Sequence, residues 1–426
     1  MLYERWEAIA KARGDSIAFQ ESGSPRVCTF QMLARRMDRA KNGSNPVEFP
    51  QLKPGNAETG LAEFLETILR AWREGRPICP LDPGQPRPAL TEIPHGIGHL
   101  KITSATTGAA RFVAFTPEQL AADADNIVAT MGLRADWPNL GVISLAHSYG
   151  FSNLVLPLLL HGIPLILTPS PLPEAVRHAA GLASDITLPA VPAMWRAWHE
   201  AGAVPDRVRL AISAGAPLPL PVEHEIFNRS GLKIHNFYGA TECGGIAYDA
   251  GVKPRDDASC TGAPMRNVLL STNAAGCLVV RGKAVGECYW PAPNGSLARH
   301  RYVTSDLAEI RDGIVHLRGR AGDLINVAGR KVSPESIEQE LLRHPSVKEC
   351  LVLGVPAADA GRSDQIVACV VADSAVTADD LKHFLLETLP AWQLPRDWHF
   401  VDSLAPTQRG KLSRGQWRVR LGFPSR

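Results

Sequence analysis

The stretch Tyr238-Gly239-Ala240-Thr241-Glu242 is the most informative segment of this 426-residue chain. A glycine turn that carries a hydroxyl and a carboxylate can present oxygen ligands to Mg²⁺ and to a phosphate. Two further signals follow in order, an acid and an arginine at Asp306 and Arg320, and then Gly410-Lys411. Such an acid and arginine can bind the two hydroxyls of a ribose, and such a lysine can stabilise the negative charge that develops when a phosphate is attacked. The ordered set indicates an enzyme that handles a nucleotide.

Three earlier segments follow or flank short apolar runs and carry small or polar residues. Residues 103–111 form a Ser/Thr-rich turn whose hydroxyl and N–H groups can cradle phosphate oxygens. Residues 147–151 and 213–217 each follow a predicted strand, where α/β sheets often bind ligands. Each segment taken singly is also typical of an ordinary turn, so their combination matters more than any one of them.

The composition excludes several other classes of protein. Hydrophobic residues make up 45% of the chain and charged residues 21%, which is typical of a globular protein with a sizeable core. The net charge of +2 is too small to indicate nucleic-acid binding. The eight cysteines form no Cys-x-x-Cys pair, and residues 1–7 lack the apolar run of a signal peptide. The most apolar stretch, 154–167, is shorter than the ~20 residues of a membrane-spanning helix. We expect a cytoplasmic enzyme without membrane insertion.

The order of elements predicts an α/β fold. Strand-like and helix-like segments alternate over the first part of the chain, which is typical of parallel sheets covered by helices. The predicted strands are 142–145, 164–167, 208–212 and 232–234, and the predicted helices are 117–131, 148–160 and 219–228. Thr116, Pro117 and Gln119 have the pattern of a capped helix start.

The type of predicted secondary structure changes twice after residue 264. Residues 265–318 contain short β runs and turns, which predict a small β subdomain. Helices at 334–343 and 377–388 and strands at 349–355 and 365–372 then predict a small α+β domain. We therefore expect a large domain over residues 1–319, with an abbreviated N-terminal part, and a mobile small domain over 320–426.

Taken together, these motifs resemble those of the adenylate-forming superfamily, which includes acyl-CoA synthetases, luciferases and the adenylation domains of peptide synthetases. The resemblance runs from about Thr103 to Ser413, and five separated motifs stand in the family's order. It implies that ATP and Mg²⁺ are used to adenylate a carboxylic acid, and that a pantetheine thiol then attacks the adenylate.

The resemblance also implies roles for the nucleotide-binding residues. It assigns the phosphates of ATP to Thr103, Ser104, Thr106, Thr107, Gly108 and Arg111, and the adenine to Gly215, Ala216, Pro217 and Tyr238, with Gly239 also among the nucleotide-binding residues. By the same comparison, Thr241 contacts the α-phosphate, Glu242 ligates magnesium, and Asp306 with Arg320 binds the ribose.

Other roles implied by the resemblance concern the acid, the thiol and the rearrangement between the two half-reactions. The residues it places beside the acyl group are His147, Phe151, Ala214, Gly244 and Gly245. Gly322 matches the pivot of the small domain, Gly329 the thiol side, and Lys411 the adenylation lysine. The small residues at 214–216 and 244–245 predict a compact pocket that suits an aryl or short acyl acid.

Some alternatives stay open. The chain departs from the family pattern at Ala105, Arg111, Phe112 and Gly322, so a catalytically impaired nucleotide-binding scaffold is a second hypothesis. Retention of Glu242, Asp306, Arg320 and Lys411 favours the enzyme. The acceptor is either CoA or the phosphopantetheine of a separate acyl carrier protein, and a homodimer is possible. No Gly-x-Gly-x-x-Gly or Gly-x-Ser-x-Gly motif points to an oxidoreductase or a serine hydrolase.

Overall fold

A computed structural model of the chain describes residues 1–43, 45–52, 60–90, 92–103, 111–357, 364–404 and 413–423. The helices are α1 (Leu2–Ala12), α2 (Phe30–Arg39), α3 (Gly60–Arg73), α4 (Pro117–Met131), α5 (Ser148–Gly150), α6 (Leu156–His161), α7 (Pro173–Ala180), α8 (Pro192–Glu200), α9 (Leu220–Ser230), α10 (Pro334–Leu341), α11 (Ala378–Leu386) and α12 (Arg414–Arg420). A π-helical turn, Phe151–Val155, joins α5 to α6, and a short 3₁₀ helix covers Ala391–Gln393. The helix expected at 148–160 is therefore present, with a π-helical middle.

The strands between residues 17 and 320 are β1 (Ile17–Glu21), β2 (Val27–Thr29), β3 (His99–Thr103), β4 (Arg111–Phe115), β5 (Asn139–Gly141), β6 (Leu165–Leu167), β7 (Ile186–Ala190), β8 (Val208–Ser213), β9 (Ile234–Ala240), β10 (Gly244–Tyr248), β11 (Cys260–Pro264), β12 (Leu269–Thr272), β13 (Cys277–Arg281), β14 (Cys288–Trp290), β15 (Leu297–Ala298), β16 (Arg301–Arg311) and β17 (Ile314–Arg320). The remaining strands are β18 (Ile325–Val327), β19 (Arg330–Val332), β20 (Val347–Pro356), β21 (Asp364–Ala372) and β22 (Asp397–Phe400).

One large mixed sheet organises most of the chain. Its strand order is β12-β13-β16-β17-β11-β10-β9-β8-β7-β5-β6-β1-β2, with β15 paired to β16. The strands from β9 to β1 in this order are parallel to their neighbours, and β10 begins the antiparallel part. The α/β fold is confirmed. The predicted parallel part and the predicted β subdomain are hydrogen-bonded into a single sheet across β9 and β10.

Buried side chains lie on both faces of the parallel part. On one face, α7, α8 and α9 contribute to an apolar cluster that contains Trp195 and Trp198. On the other face, α1, α3, α4 and α6 contribute to a larger cluster with Phe64, Ile127 and Leu158. Helices therefore cover the parallel strands on both sides, as alternating sequence periods predict. The capping box at the start of α4 is also confirmed.

The C-terminal strands β20, β21 and β22 form a separate three-stranded sheet. Apolar clusters lie on both faces of this sheet, one with α10 and α11 and the other with Trp417 of α12. The exact division into residues 1–319 and 320–426 stays a prediction. Within the part of the chain that the structure describes, none of the helices combines the length and the hydrophobicity that crossing a bilayer requires.

The strand predicted at 142–145 is wrong, because β5 ends at Gly141. Gly141 lies between the side chains of Leu165 and Leu167, and the chain then leaves the sheet. The Ser144 hydroxyl donates to Asp82, and a Cβ on Gly150 would lie 2.0 Å from the Ser144 carbonyl oxygen. The short apolar run was therefore a misleading signal, since residue 144 makes long-range contacts within a loop.

Candidate active site

The carboxylate Glu242 lies at the tip of the hairpin that joins β9 and β10. The strand continues through Tyr238, Gly239 and Ala240, so the turn comprises only residues 241–243, which is shorter than the sequence indicated. The Glu242 carbonyl accepts a hydrogen bond from the Gly286 N–H at 2.8 Å. Its Oε1 atom accepts a hydrogen bond from the Tyr289 hydroxyl at 2.9 Å. Both the backbone and the side chain of Glu242 are therefore positioned by one segment, 286–289.

Tyr238, Asp306 and Arg320 form a hydrogen-bonded chain. The Tyr238 hydroxyl donates to Asp306 Oδ2 at 2.6 Å, and Arg320 Nε donates to Asp306 Oδ1 at 2.9 Å. Asp306 and Arg320 face each other directly across β16 and β17. Burial, and then the Asp306 carboxylate, raises the pKa of Tyr238 well above its ordinary value, so the phenol stays a donor. The structure thus brings together three residues that the sequence selected from separate motifs.

The phosphate loop is described only at its two ends. Ser104, Thr106, Thr107 and Gly108, together with Ala105, lie outside the described residues. Thr103 and Arg111 face each other on β3 and β4, and the Thr103 hydroxyl donates to the Arg111 carbonyl at 3.1 Å. The Arg111 guanidinium carbon lies 3.5 Å from the centroid of the Tyr289 ring. The end of the loop is therefore stacked on the tyrosine that holds Glu242.

The segment 214–217 follows β8, as the sequence predicted. Gly215 has φ of +89°, a value that glycine tolerates, and Ala216 and Pro217 follow it as exposed residues. The Ala214 N–H and the Tyr149 hydroxyl both donate to the Ala190 carbonyl, at 3.1 and 3.4 Å. Tyr149 belongs to the 147–151 segment, but no separate role was assigned to it from the sequence.

The two glycines after the turn are closely packed. A Cβ on Gly244 would lie 2.0 Å from the Asp123 carboxylate, and a Cβ on Gly245 would lie 3.0 Å from the Phe237 ring. A side chain at either position would therefore collide with its neighbours, so both positions require a residue without a Cβ. Phe151 is fully buried, with its ring centroid 4.5 Å from that of His99, so it belongs to the core. The acyl-pocket role of these residues stays a prediction.

His147 is held by an acid from the N-terminal part of the chain. His147 Nε2 lies 3.0 Å from Asp82 Oδ2, and the Ser144 hydroxyl donates to Asp82 Oδ1 at 2.6 Å. Both His147 and Asp82 are about one-third exposed, so the pair lies at an accessible surface. Asp82 carried no signal in the sequence, because a single acid between apolar and proline residues is typical of a turn.

A buried ion pair lies under the turn. Lys101 Nζ is 3.8 Å from Asp123 Oδ2 and 3.2 Å from the Ser152 hydroxyl, and both charged side chains are 3% exposed. Asp123 Oδ1 also accepts a hydrogen bond from the Gly245 N–H at 3.2 Å. Burial lowers the pKa of Lys101, and the Asp123 carboxylate opposes that effect. The pair links β3, which leads into the phosphate loop, to β10, which follows Glu242.

The small-domain residues are described in part, and Lys411 lies outside the described residues. Gly322 lies in the turn after β17, and a Cβ there would have open space around it. Gly329 has φ of +85° at the tip of the β18–β19 hairpin. Arg414, three positions after Lys411, lies 3.0 Å from Asp323 next to the predicted pivot. Arg414 therefore connects the C-terminal side of the lysine segment to the predicted pivot.

The donor set fits a magnesium ion that takes most of its ligands from phosphate and water. Among the described residues, no three His, Cys, Asp or Glu side chains lie close enough together to hold a metal ion by themselves. Glu242 offers a single carboxylate, and one or two carboxylates with phosphate oxygens are the usual protein contribution to Mg²⁺ binding.

Comparisons with known proteins add two family matches. A model described as AMP-binding enzyme matches residues 94–290, and a model described as AMP-binding enzyme C-terminal domain matches residues 336–411. A feruloyl-CoA synthase from Amycolatopsis sp is 27% identical over 393 residues, covering 87% of this chain and 78% of that protein. A 4-hydroxybenzoate–CoA/benzoate–CoA ligase from Rhodopseudomonas palustris is 29% identical over 345 residues, covering 75% and 63%.

Solved structures share the fold at lower identity. ATP-bound MatB from Rhodopseudomonas palustris superposes with a TM-score of 0.83 at 19% identity, covering 99% of both chains. The O-succinylbenzoate CoA synthetase MenE from Bacillus subtilis, in complex with its acyl-adenylate intermediate, gives 0.80 at 21% identity, covering 97% of both chains. At this level of identity the likeness concerns the fold.

Proposed function

Because the chain belongs to the adenylate-forming superfamily of AMP-binding enzymes, we propose that it is an ATP-dependent acid–thiol ligase. It converts a carboxylic acid and ATP into an acyl-adenylate and pyrophosphate, and then transfers the acyl group to a pantetheine thiol. The observation that carries the proposal is the chain of hydrogen bonds from Tyr238 through Asp306 to Arg320. Asp306 on β16 and Arg320 on β17 would bind the ribose, and Tyr238 connects them to β9, the strand that leads to Glu242.

In the first half-reaction the acid attacks the α-phosphate in line and pyrophosphate leaves. Glu242 would hold Mg²⁺, which when bound neutralises charge on the phosphate oxygens. Thr241 and Lys411 would contact the α-phosphate and its developing negative charge, since positioning and charge stabilisation supply most of the rate of such transfers.

In the second half-reaction a thiol attacks the acyl carbonyl and AMP leaves. We propose that the small domain turns about residues 320–323 between the two steps, which removes Lys411 and brings Gly329 to the thiol. Gly322 accepts a wide range of backbone angles, and a Cβ there would lie more than 4 Å from every non-neighbouring residue in the described part of the chain. A conformational switch of this kind excludes water from each step in turn.

We propose an aryl acid as the substrate and CoA as the acceptor. The two relatives named above carry feruloyl and benzoyl groups in their names, and both are CoA ligases. The aromatic ring of Tyr149, whose centroid lies 5.9 Å from that of Phe237, supports an aromatic surface next to the segment 214–216. A carrier protein stays the alternative acceptor.

An exchange assay tests the proposed function. The purified chain, supplied with radiolabelled pyrophosphate, Mg²⁺ and ATP, is expected to form labelled ATP when ferulate or benzoate is present, and much less with palmitate. Intact mass of CoA and of a pantetheinylated carrier protein after full turnover then identifies the acceptor. ATP binding without exchange on any aryl, short-chain or long-chain acid would instead favour the nucleotide-binding scaffold.

Replacing Asp306 with asparagine is expected to weaken ATP binding by about 10–100-fold, because hydrogen bonds to a charged group contribute about 1.5–3 kcal/mol. Isothermal titration with ATP measures the effect directly. Glu309→Gln is the matched control, since Glu309 lies on the same strand and pairs with Arg318 at 2.8 Å on the exposed surface. Equal affinities of the two variants would contradict a ribose-binding role for Asp306.

A further inference from the structure

The segment 286–290 connects two parts of the site that are distant in sequence. The Gly286 N–H donates to the Glu242 carbonyl at 2.8 Å, and the Glu287 N–H donates to the Ala114 carbonyl at 2.8 Å. Strand β14 pairs with β4, so that Tyr289 faces Val113. A Cβ on Gly286 would lie 2.7 Å from the Val113 side chain. Close contact on both sides therefore fixes the spacing between the phosphate-loop hairpin and the Glu242 turn.

Tyr289 extends this connection to the Glu242 side chain. Its hydroxyl donates to Glu242 Oε1 at 2.9 Å. A hydrogen bond to one carboxylate oxygen restrains the rotation of the group, and therefore limits the directions in which its second oxygen can point.

Arg111 completes the unit from the other side. Its guanidinium carbon lies 3.5 Å from the Tyr289 ring centroid, which is the distance of a direct stack. A planar guanidinium can stack on a ring and still use its edge for hydrogen bonds to phosphate, whereas the ammonium of a lysine acts as a point charge. The backbone at Arg111 is held as well, because its carbonyl accepts the Thr103 hydroxyl.

We propose that Tyr289 is a positioning residue for Glu242, and that Arg111 stands at the end of the phosphate loop because it stacks on that tyrosine. The three side chains form one unit, which presents a carboxylate and a guanidinium to the phosphates of magnesium-bound ATP. The arginine is then a functional adaptation of this chain and does not indicate loss of activity. This inference rests on the proposed function only for the identity of the nucleotide.

Two conservative variants test the unit by equilibrium binding. Tyr289→Phe removes only the hydroxyl that reaches Glu242, and Arg111→Lys keeps the charge but removes the stack. Each is expected to raise the Kd of ATP in the presence of Mg²⁺ by about tenfold, the loss typical of one hydrogen bond to a charged group. In EDTA, Tyr289→Phe is expected to bind ATP as the wild type does, because its effect operates through Glu242.

Coupling between the two positions gives a second readout. The double variant is expected to lose less than the product of the two single losses, because side chains that act as one unit are not independent. Tyr248→Phe and Arg134→Lys are matched controls, since Tyr248 is a buried tyrosine on β10 that stacks on His235, and Arg134 stacks on Trp137 at the surface. Unchanged thermal midpoints exclude a general loss of folding.

Three results would overturn the inference. The first is a Kd of ATP within about twofold of the wild-type value for both single variants. The second is an equal loss of ATP affinity for Tyr289→Phe with and without Mg²⁺. The third is a loss of ATP affinity in the double variant that equals the product of the two single losses. Failure of the proposed function would be a separate result. If the wild-type chain binds ATP but catalyses no pyrophosphate exchange with any acid, the proposed function fails, and each of these ATP-binding measurements can still be made.

Discussion

Replacing Lys411 with alanine is expected to abolish acyl-adenylate formation, with a rate loss of about 10²–10³-fold, the size expected when one donor to a developing negative charge is removed. Attack of the thiol on a supplied acyl-AMP is expected to continue at nearly the wild-type rate. The difference arises because negative charge builds around the attacked α-phosphate in the first half-reaction. In the second, the thiol attacks the acyl carbon, the charge passes from the carbonyl oxygen to the phosphate oxygen that leaves with AMP, and the proposed rotation has already withdrawn Lys411. Pyrophosphate exchange and thioester formation from synthetic acyl-AMP measure the two steps separately.

A matched lysine elsewhere in the small domain provides the control. Lys382 lies on α11, is partly exposed and pairs with Asp379 at 3.0 Å, so Lys382→Ala is expected to leave both half-reactions unchanged. An equal loss in both half-reactions for Lys411→Ala would contradict a role confined to adenylation. Comparable losses for both lysine variants would assign the effect to the charge of the small domain as a whole.

Replacing Asp123 with alanine is expected to lower the free energy of unfolding by about 3–5 kcal/mol, because removal of one partner leaves a buried charge without compensation. Lys101 and Asp123 are each 3% exposed, so Lys101 cannot turn to solvent without a rearrangement of β3. Asp123 also accepts the Gly245 N–H, and the variant is therefore expected to loosen the turn that carries Glu242. Denaturant unfolding measures the change in stability.

Two further variants isolate the cause of that loss. Asp136→Ala removes an exposed acid that pairs with Arg134 at 2.6 Å, and it is expected to leave the free energy of unfolding nearly unchanged. Lys101→Met combined with Asp123→Asn removes both charges and keeps an acceptor for Gly245, so it is expected to recover most of the stability. Similar losses for Asp123→Ala and Asp136→Ala would show that burial of the Lys101 pair does not matter.

The proposed rotation of the small domain is supported by contacts of Arg414 that the sequence did not indicate. Arg414 lies within 3.0 Å of Asp323, Glu335 and Glu338, and its Nε donates to the Val352 carbonyl at 2.9 Å. These contacts connect the residue three positions after Lys411 to the segment beside the predicted pivot. A rotation about residues 320–323 would therefore carry this side of the lysine segment with it.

The sequence predicted the elements whose signals are local. The helix start at Thr116 was identified from its capping box, and β8 at Val208–Ser213 from an apolar run that ends in small residues. The prediction failed at 142–145 because the same kind of apolar run is held as a loop by the contact between Ser144 and Asp82. Local pattern cannot distinguish the two cases, since the deciding partner lies sixty-two residues away.

For the candidate site, the sequence by itself selected Tyr238, Glu242, Asp306 and Arg320, because each stands in a motif with a recognisable order and chemistry. Only the tertiary structure joined Tyr238, Asp306 and Arg320 through hydrogen bonds, and only it added Asp82, Lys101, Asp123 and Tyr289. These four act through partners distant in sequence, and their own neighbours in the chain are ordinary strand, helix or turn residues. The chemistry of a motif is local and can be inferred from adjacent residues, whereas the support that orients it depends on how sheet strands are ordered in space.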